Sequence, residues 1–412
     1  MEGQNYFMVF NSQDELDDYL NRSPELYHEE YGKYYFEQSL FTFHANFRNI
    51  KSFESIVYFQ NSEFKKTVTF KNKTFKKEVH FEGCKFEDHV DFSNAEFHDV
   101  VTFPDFSSVI NFRKAKFNSD VFFGKNFNDV VTFSHSEFKN NVDFSESTFE
   151  KDVYFNDCIF EKDVYFEVVD FVNKVNSWNV TYKSNVTFKW SNFRGKANFS
   201  EIKVEKGLLD LHGVNFEKNS YFYNSTIKNL DLDKSVIDKG VFFLGSKIKK
   251  SNRETFRIIK NEFNKQNNHI ESLNYHQREM YSYFKELLAE LIPKKNESIL
   301  NYLLKFLRNL NNLVILLLNF ISNFFGLSWI FGVVFTFTST YLMYKLYVSH
   351  LTFEGEISFW QYYPQFLSPI HKFDFIENVK QTKYSYLIDF LGRIVSSFGF
   401  YQTVQAFRKY GK

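Results

Sequence analysis

Two charges stand in a stretch that is otherwise apolar. Asp389 and Arg393 lie four apart in the run Tyr384–Phe407, so on a helix they share one face. Charges within such a segment turn away from lipid, either paired or toward water. They therefore form an intramembrane ion pair or line a conduction path. The remaining chemistry-bearing side chains read as structural. Cys84 and Cys158 are the two cysteines, too few for a disulfide framework, and both fall where a small residue is expected to point inward. His80 and His89 each flank a valine expected to point inward, so both face solvent and form no metal set. There is no Walker loop, GxGxxG, HExxH, CxxC or GxSxG. Serines follow small-residue and turn positions, so none stands out as a nucleophile. No catalytic, cofactor-binding or metal-binding residue is expected, and the chain is not expected to be an enzyme.

The elements that position these residues begin with composition. The 412 residues include 56 Phe, only 5 Pro and 15 Gly, and 21% are aromatic. Disordered chains lack aromatics, so disorder is excluded for most of the length. Fifty basic residues balance fifty acidic ones, so net charge favours neither a polyanion binder nor an acidic mimic. The N-terminus lacks a basic region followed by an apolar stretch, and no secretory signal is expected there.

From about Lys51 to Lys250 the chain cycles. Val57-x-Phe59, Phe64, Val68-x-Phe70, Phe75, Val79-x-Phe81, Phe86 and Val90-x-Phe92 open the series. It continues through Val121-x-Phe123, Val142-x-Phe144, Val153-x-Phe155 and Val164-x-Phe166. The segment FEKDVYF occurs at Phe149–Phe155 and again at Phe160–Phe166. Two residues before the other Phe of each period stands a small side chain: Ser62, Cys84, Ala95, Ala115, Ser136, Ser147, Cys158. Residues two apart on an extended backbone share a side, so each step turns two side chains inward. Five or six residues are too few for a helix and its connection. A chain that turns this often in one sense is a β-solenoid, with like side chains stacked at about 4.8 Å. Phe59, Phe70, Phe81, Phe92, Phe123, Phe144, Phe155 and Phe166 form its core ladder, and the small residues leave room for the rings.

The cycle resembles the pentapeptide-repeat family in a Phe-rich variety with one extra residue in alternate repeats. The resemblance covers residues 50–250 and implies a right-handed, roughly four-sided β-helix. Two periods per coil give about nine coils and roughly 43 Å of length. Register slips are expected at Pro104–Phe106, Phe127–Phe133 and Val172–Tyr182. After Phe199 the ladder turns aliphatic, through Leu209, Leu211, Leu230, Leu232, Val236 and Ile248. Open solenoid ends need covers. Residues 1–50 are the expected N-terminal cap, with an acidic amphipathic helix near Ser12–Leu20. Residues 251–292 form a helical hairpin, Asn252–Lys265 and Glu271–Leu291, ended by Pro293. The stretch ETFRIIKNEFNKQNNHIESLNYHQREM resembles the helical segment of membrane-anchored pentapeptide-repeat proteins.

Residues 293–412 form the membrane region. Along 298–325, Asn301, Lys305, Arg308, Asn309, Asn312, Asn319 and Asn323 make one polar stripe, which places that helix in the interface. Spans are expected at 327–348 and 384–407. Between them ISFWQYYPQFLSPIHKFDF suits the interface or a short re-entrant element. Lys294, Lys295, Lys305 and Arg308 with Arg408, Lys409 and Lys412 outnumber Lys372, Lys380 and Lys383, so both termini and the solenoid are cytosolic. The residues SNFFGLSWI and YQTVQAFRKYGK resemble the tail of the same membrane-anchored group, which implies a bacterial inner-membrane protein.

Charge is uneven along the solenoid. Asp120–Asp170 holds twelve acidic and four basic residues, and Phe171–Lys250 seven and fourteen. The basic end could rest near anionic lipid. The leading expectation is a membrane-anchored scaffold for a protein partner, with membrane lipid as its other contact and no nucleic acid. One alternative is an oligomeric two-span pore, a homo-oligomer with Asp389 and Arg393 around its axis and the solenoid as regulator. The other is a topoisomerase-interacting DNA mimic, which would need an extended negative surface that the balanced charge does not supply.

Overall fold

The computed structural model describes residues 6–21, 34–292, 299–353, 356–377 and 379–407. Pro293, Lys294, Lys295, Arg408, Lys409 and Lys412 lie outside the described residues. The chain divides into two units, Met1–Thr255 and Phe256–Lys412.

The first unit is a four-sided β-solenoid of about ten turns. Successive coils pair in parallel, typically 22 residues on, as Val79 does with Val57 and Val90 with Val68. One face forms a continuous ten-stranded sheet running from Ala45 to Val241. The faces alternate in kind. Two carry Val-x-Phe steps, and two carry the lone Phe of each period, such as Phe64 over Phe41 and Phe75 over Phe53. Rings stack from coil to coil: Phe59 and Phe81 have centroids 5.0 Å apart at 3°, and Phe53 and Phe75 4.7 Å apart at 0°. Within a coil they meet edge to face, as Phe59 does with Phe70 at 71°. Edge contacts offset the unfavourable quadrupole of face-to-face stacking.

Two of the four corners follow one rule. In the sequence Phe59-Gln60-Asn61-Ser62, the amide of Ser62 donates to the carbonyl of Phe59, and Asn61 has φ 59°. That is a type II turn, which needs positive φ at its third residue. Asn72, Asn94, Gly83 and Gly245 occupy equivalent places, where Asn and Gly cost least. The small residue that follows does more than clear space. Ser62, Ser136, Ser191 and Ser225 donate their hydroxyls to the Phe carbonyl one coil back, and Cys84 and Cys158 donate thiols at 2.8 and 2.9 Å.

The structure moves three sequence expectations. The coils begin before Lys51: Phe36, Phe41 and Phe47 are buried and stack under Phe59, Phe64 and Phe70, and the buried Tyr34 meets Phe53 edge to face. Only the strand Met8–Phe10 and the helix α1 (Gln13–Asn21) precede them among the described residues of the cap. Near Pro104 the shortening falls at one corner, Phe103–Phe106 in one coil and Phe123–Phe127 in the next. There Pro104 and Gly124 let the chain cut across, and a Cβ on Gly124 would sit 2.3 Å from the Asp105 amide. A second register shift sets Val204–Leu209 against the shorter Ile227–Leu230. No slip occurs at Phe127–Phe133 or at Val172–Tyr182. Ser177 takes a Phe place and Tyr182 stacks on Phe160 at 5.3 Å, so the coil stays in phase. At the far end the Leu232 amide donates to the Thr255 hydroxyl, closing the last turn.

The second unit is helical. α2 (Arg253–Lys265), which starts in the first unit, leads through a tight turn to α3 (His269–Glu290), capped by the Asn268 side chain. α4 (Ile299–Asn323) follows, then α5 (Trp329–Ser349), the short α6 (Phe359–Leu367) and α7 (Lys383–Phe407).

Phe144 stacks between Phe123 and Phe166, 5.0 Å from each, and is fully buried. Replacement by Ala is expected to cost about 3–5 kcal/mol in chemical denaturation. Asp143→Ala, outward on the same strand, should stay within about 0.5 kcal/mol. Val168 holds φ 59° at an exposed corner, costly for a β-branched residue. Val168→Asn should therefore raise stability by about 1 kcal/mol.

Candidate functional site

Among the described residues no group of three or more His, Cys, Asp or Glu is gathered as for a metal ion. Both cysteines are free and buried, and burial pushes their thiols far above the usual range, so they are poor nucleophiles. His80 faces outward, stacked on Tyr58 at 5.3 Å and 3.3 Å from Glu78. Phe59, Phe70, Phe81, Phe92, Phe144, Phe155 and Phe166 are at most 2% exposed and Phe123 8%. They fill the solenoid axis and present no ring to a ligand.

The charged pair lies in the helical unit, and it is a triad. α5 and α7 pack antiparallel through small residues. A Cβ on Gly332 would lie 2.7 Å from Thr403 Oγ1, and one on Gly399 2.3 Å from Thr336 Oγ1. Such close approach is how helices associate where no hydrophobic drive separates them from lipid. α6 covers this pair part-way along. Tyr363 donates to the Phe337 carbonyl, Phe366 sits against Gly392, and Ser396 donates to the Leu367 carbonyl. After α6 the chain turns through Pro369 and brings His371 onto α7. Asp389, fully buried, receives His371 Nε2 at 2.6 Å on one oxygen and Arg393 Nε at 3.1 Å on the other. Arg393 Nη2 is 3.0 Å from that second oxygen, a charge contact without hydrogen-bond alignment. The guanidinium lies over the Phe373 ring at 4.0 Å. His371 Nδ1 meets the Ser368 carbonyl at 2.6 Å. Both ring nitrogens of His371 are thus engaged, one by Asp389 and one by the Ser368 carbonyl.

Sequence reasoning paired Asp389 with Arg393 and missed His371. The signal was slight: one histidine in an aromatic loop that also holds Lys372 and Asp374, with nothing to rank the three.

Polarity in this unit runs inside out. Asn309, Asn323, Thr340, Ser385, Asp389, Ser396 and Gln402 are buried, whereas Leu303, Leu307, Val334, Phe337, Leu342, Leu387, Phe390 and Ile394 are exposed. The polar stripe of α4 is used for packing. Asn309 donates to Glu290, Asn312 to the Tyr283 hydroxyl and Asn323 to Gln402. Leu313 and Leu316 pack with Leu287 of α3. Among the described residues, α4 alone is long and apolar enough to cross a membrane. α5 and α7, which hold most of 327–348 and all of 384–407, the segments expected to span, fall short of that measure of length and composition. The Thr, Ser, Gly and Tyr residues that let α5 and α7 interlock lower their hydropathy.

A family model, pentapeptide repeats (9 copies), matches residues 59–105 and 122–170. The solenoid is thus built from pentapeptide repeats, and the unmatched interval falls between the two shortened corners. No curated protein and no solved structure matches the chain.

Removing one partner of a buried ion pair strands the others. Asp389→Asn is expected to cost about 3–5 kcal/mol in thermal melts of the detergent-solubilised protein. Exchanging Asp389 with Arg393 should not restore it, because His371 would then face a guanidinium. Adding His371→Asp to the exchange should recover part of the loss. Gly399→Val should separate α5 from α7, destabilising by about 1–3 kcal/mol.

Proposed function

We propose that this protein is a non-catalytic, membrane-anchored scaffold whose solenoid offers a regular surface to a protein partner. The inside-out polarity of α4, α5 and α7 carries the proposal. Exposed Leu, Ile, Val and Phe around buried Asp, Asn, Gln, Ser and Thr match a lipid surround rather than water.

Within this reading α5 and α7 cross the bilayer as a pair. Each is long enough, at 21 and 25 residues. α4 lies in the interface despite its composition. Along most of its length it packs on α3, whose Arg278, Lys285, Glu286 and Glu290 would be costly in lipid. Trp329 at the start of α5 stacks on Phe407 at the end of α7, so both helices have those ends on one side. With the basic residues flanking them, that side is cytoplasmic and bears both termini and the solenoid.

The pore reading has less support. Asp389 is enclosed by His371 and Arg393 of its own chain, which leaves no free carboxylate to line an axis. Membranes containing the protein should retain it after an alkaline carbonate wash and release it only to detergent. Release by carbonate alone would overturn the anchoring. The detergent-solubilised protein should be monomeric by light scattering and silent in planar bilayers; a conducting oligomer would restore the pore.

A further inference from the structure

Several lysines of the solenoid wall pair with a carboxylate one coil away. Lys65 pairs with Glu87 at 2.6 Å, Lys76 with Glu54 at 3.0 Å, Lys183 with Glu161 at 2.6 Å and Lys189 with Asp210 at 3.1 Å. Three consecutive coils near the end of the solenoid gather lysines instead. There the usual two-residue strands lengthen into Lys203–Asp210, Thr226–Asp231 and Lys247–Ser251, running in parallel register around a corner. Register sets Lys203, Thr226 and Lys247 in one column, and places Glu205, Lys228 and Lys249 in the next. Lys206 and Lys250 lie alongside.

Among the described residues none of these six lysines has an ion-pair partner, and all but the half-buried Lys228 are exposed. Asp210 is taken by Lys189, and Asp231 accepts from Asn252 and the Asp233 amide. Glu205 is left as the one carboxylate, and it also lies in the field of Lys183. Like charges directly opposite destabilise a sheet. The wall here forms a concavity of about 420 Å³, lined by Lys203, Val204, Glu205, Thr226, Lys228 and Lys249.

We infer that this lysine-lined concavity is a docking site for anionic phospholipid headgroups. The inference rests on the membrane anchoring proposed above. Repulsion built into the folded wall is relieved by a phosphodiester, and basic clusters near a bilayer are drawn to anionic lipid. The strand Lys247–Ser251 is the last of the solenoid, and α2 and α3 tether it to the helices with apolar outer faces, which begin at Ile299. Such a tether keeps the local headgroup concentration high.

The test uses the full chain reconstituted in phosphatidylcholine vesicles, with or without phosphatidylglycerol, and lysine acetylation read by mass spectrometry. Phosphatidylglycerol should slow acetylation of Lys203, Lys228 and Lys249 severalfold, and high salt should abolish the effect. Lys139 and Lys151 serve as controls and should react alike in both vesicles. The double variant Lys228→Gln/Lys249→Gln should melt higher than wild type, since repulsion is removed, and should lose the protection of Lys203. Equal acetylation in both vesicles by incorporated protein overturns the headgroup site and leaves anchoring intact. Failure to incorporate at all overturns the anchoring and this site with it. Protection by inorganic phosphate alone in detergent, with none from phosphatidylglycerol, identifies a soluble anion as the occupant and overturns the lipid assignment.

Discussion

Parallel pairing at one fixed rise forces every residue of the solenoid to sit on its equivalent one coil away. The backbone bonds that set this rise, such as Phe59 N–H to the His80 carbonyl at 2.8 Å, leave side chains no choice of neighbour. Phenylalanine suits the arrangement because its flat ring can stack on its equivalent one coil away, as Phe144 does on Phe123 and Phe166 at 5.0 Å. The corners obey the same constraint. Positive φ at Asn61 recurs at Gly83, and one at Asn72 recurs at Asn94, whose side chain donates to Asn72. A residue poorly suited to its corner, as at Val168 or Trp190, is held there by the coils on either side.

The same constraint makes charge informative. Stacking multiplies whatever a position carries, so a neutral wall requires opposite signs in successive coils. Lys65 with Glu87, Lys76 with Glu54, Lys183 with Glu161 and Lys189 with Asp210 meet that requirement. On the three long strands six lysines gather around one carboxylate, Glu205, and Lys228 stands opposite Lys249. The contrast with Lys65–Glu87 and Lys183–Glu161 gives the lysine face its meaning.

The helical unit solves a different problem. Its interior holds polar groups that bond to one another, and small residues set the approach of α5 to α7. Asp389 joins the loop after α6 to α7 through His371, and Arg393 extends the cluster under Phe373. This cluster ties the loop after α6 to α7.

Much of the solenoid was legible because its period is short and its inward side chains are nearly invariant in type. Val57-x-Phe59 and Ser62-x-Phe64 specify which residues are buried, since alternation on an extended backbone admits one phase. The hairpin of α2 and α3 was legible from helical spacing and the Asn267–Asn268 turn. The first coils were not, because Tyr34, Phe36 and Phe47 lack the regular Val-x-Phe frame. Nor was the in-phase passage through Ser177 and Tyr182, where stacked neighbours hold the register that the local sequence abandons. His371 and the lysine face depend on pairings across 18 and about 22 residues, which spacing alone does not select. The sequence by itself determined the period, the buried phase and the apolar helices, because these follow from local backbone geometry. Only the tertiary structure decided which corners shorten, which charges meet and which face of α4 is covered, because each is settled by the segment packed against it.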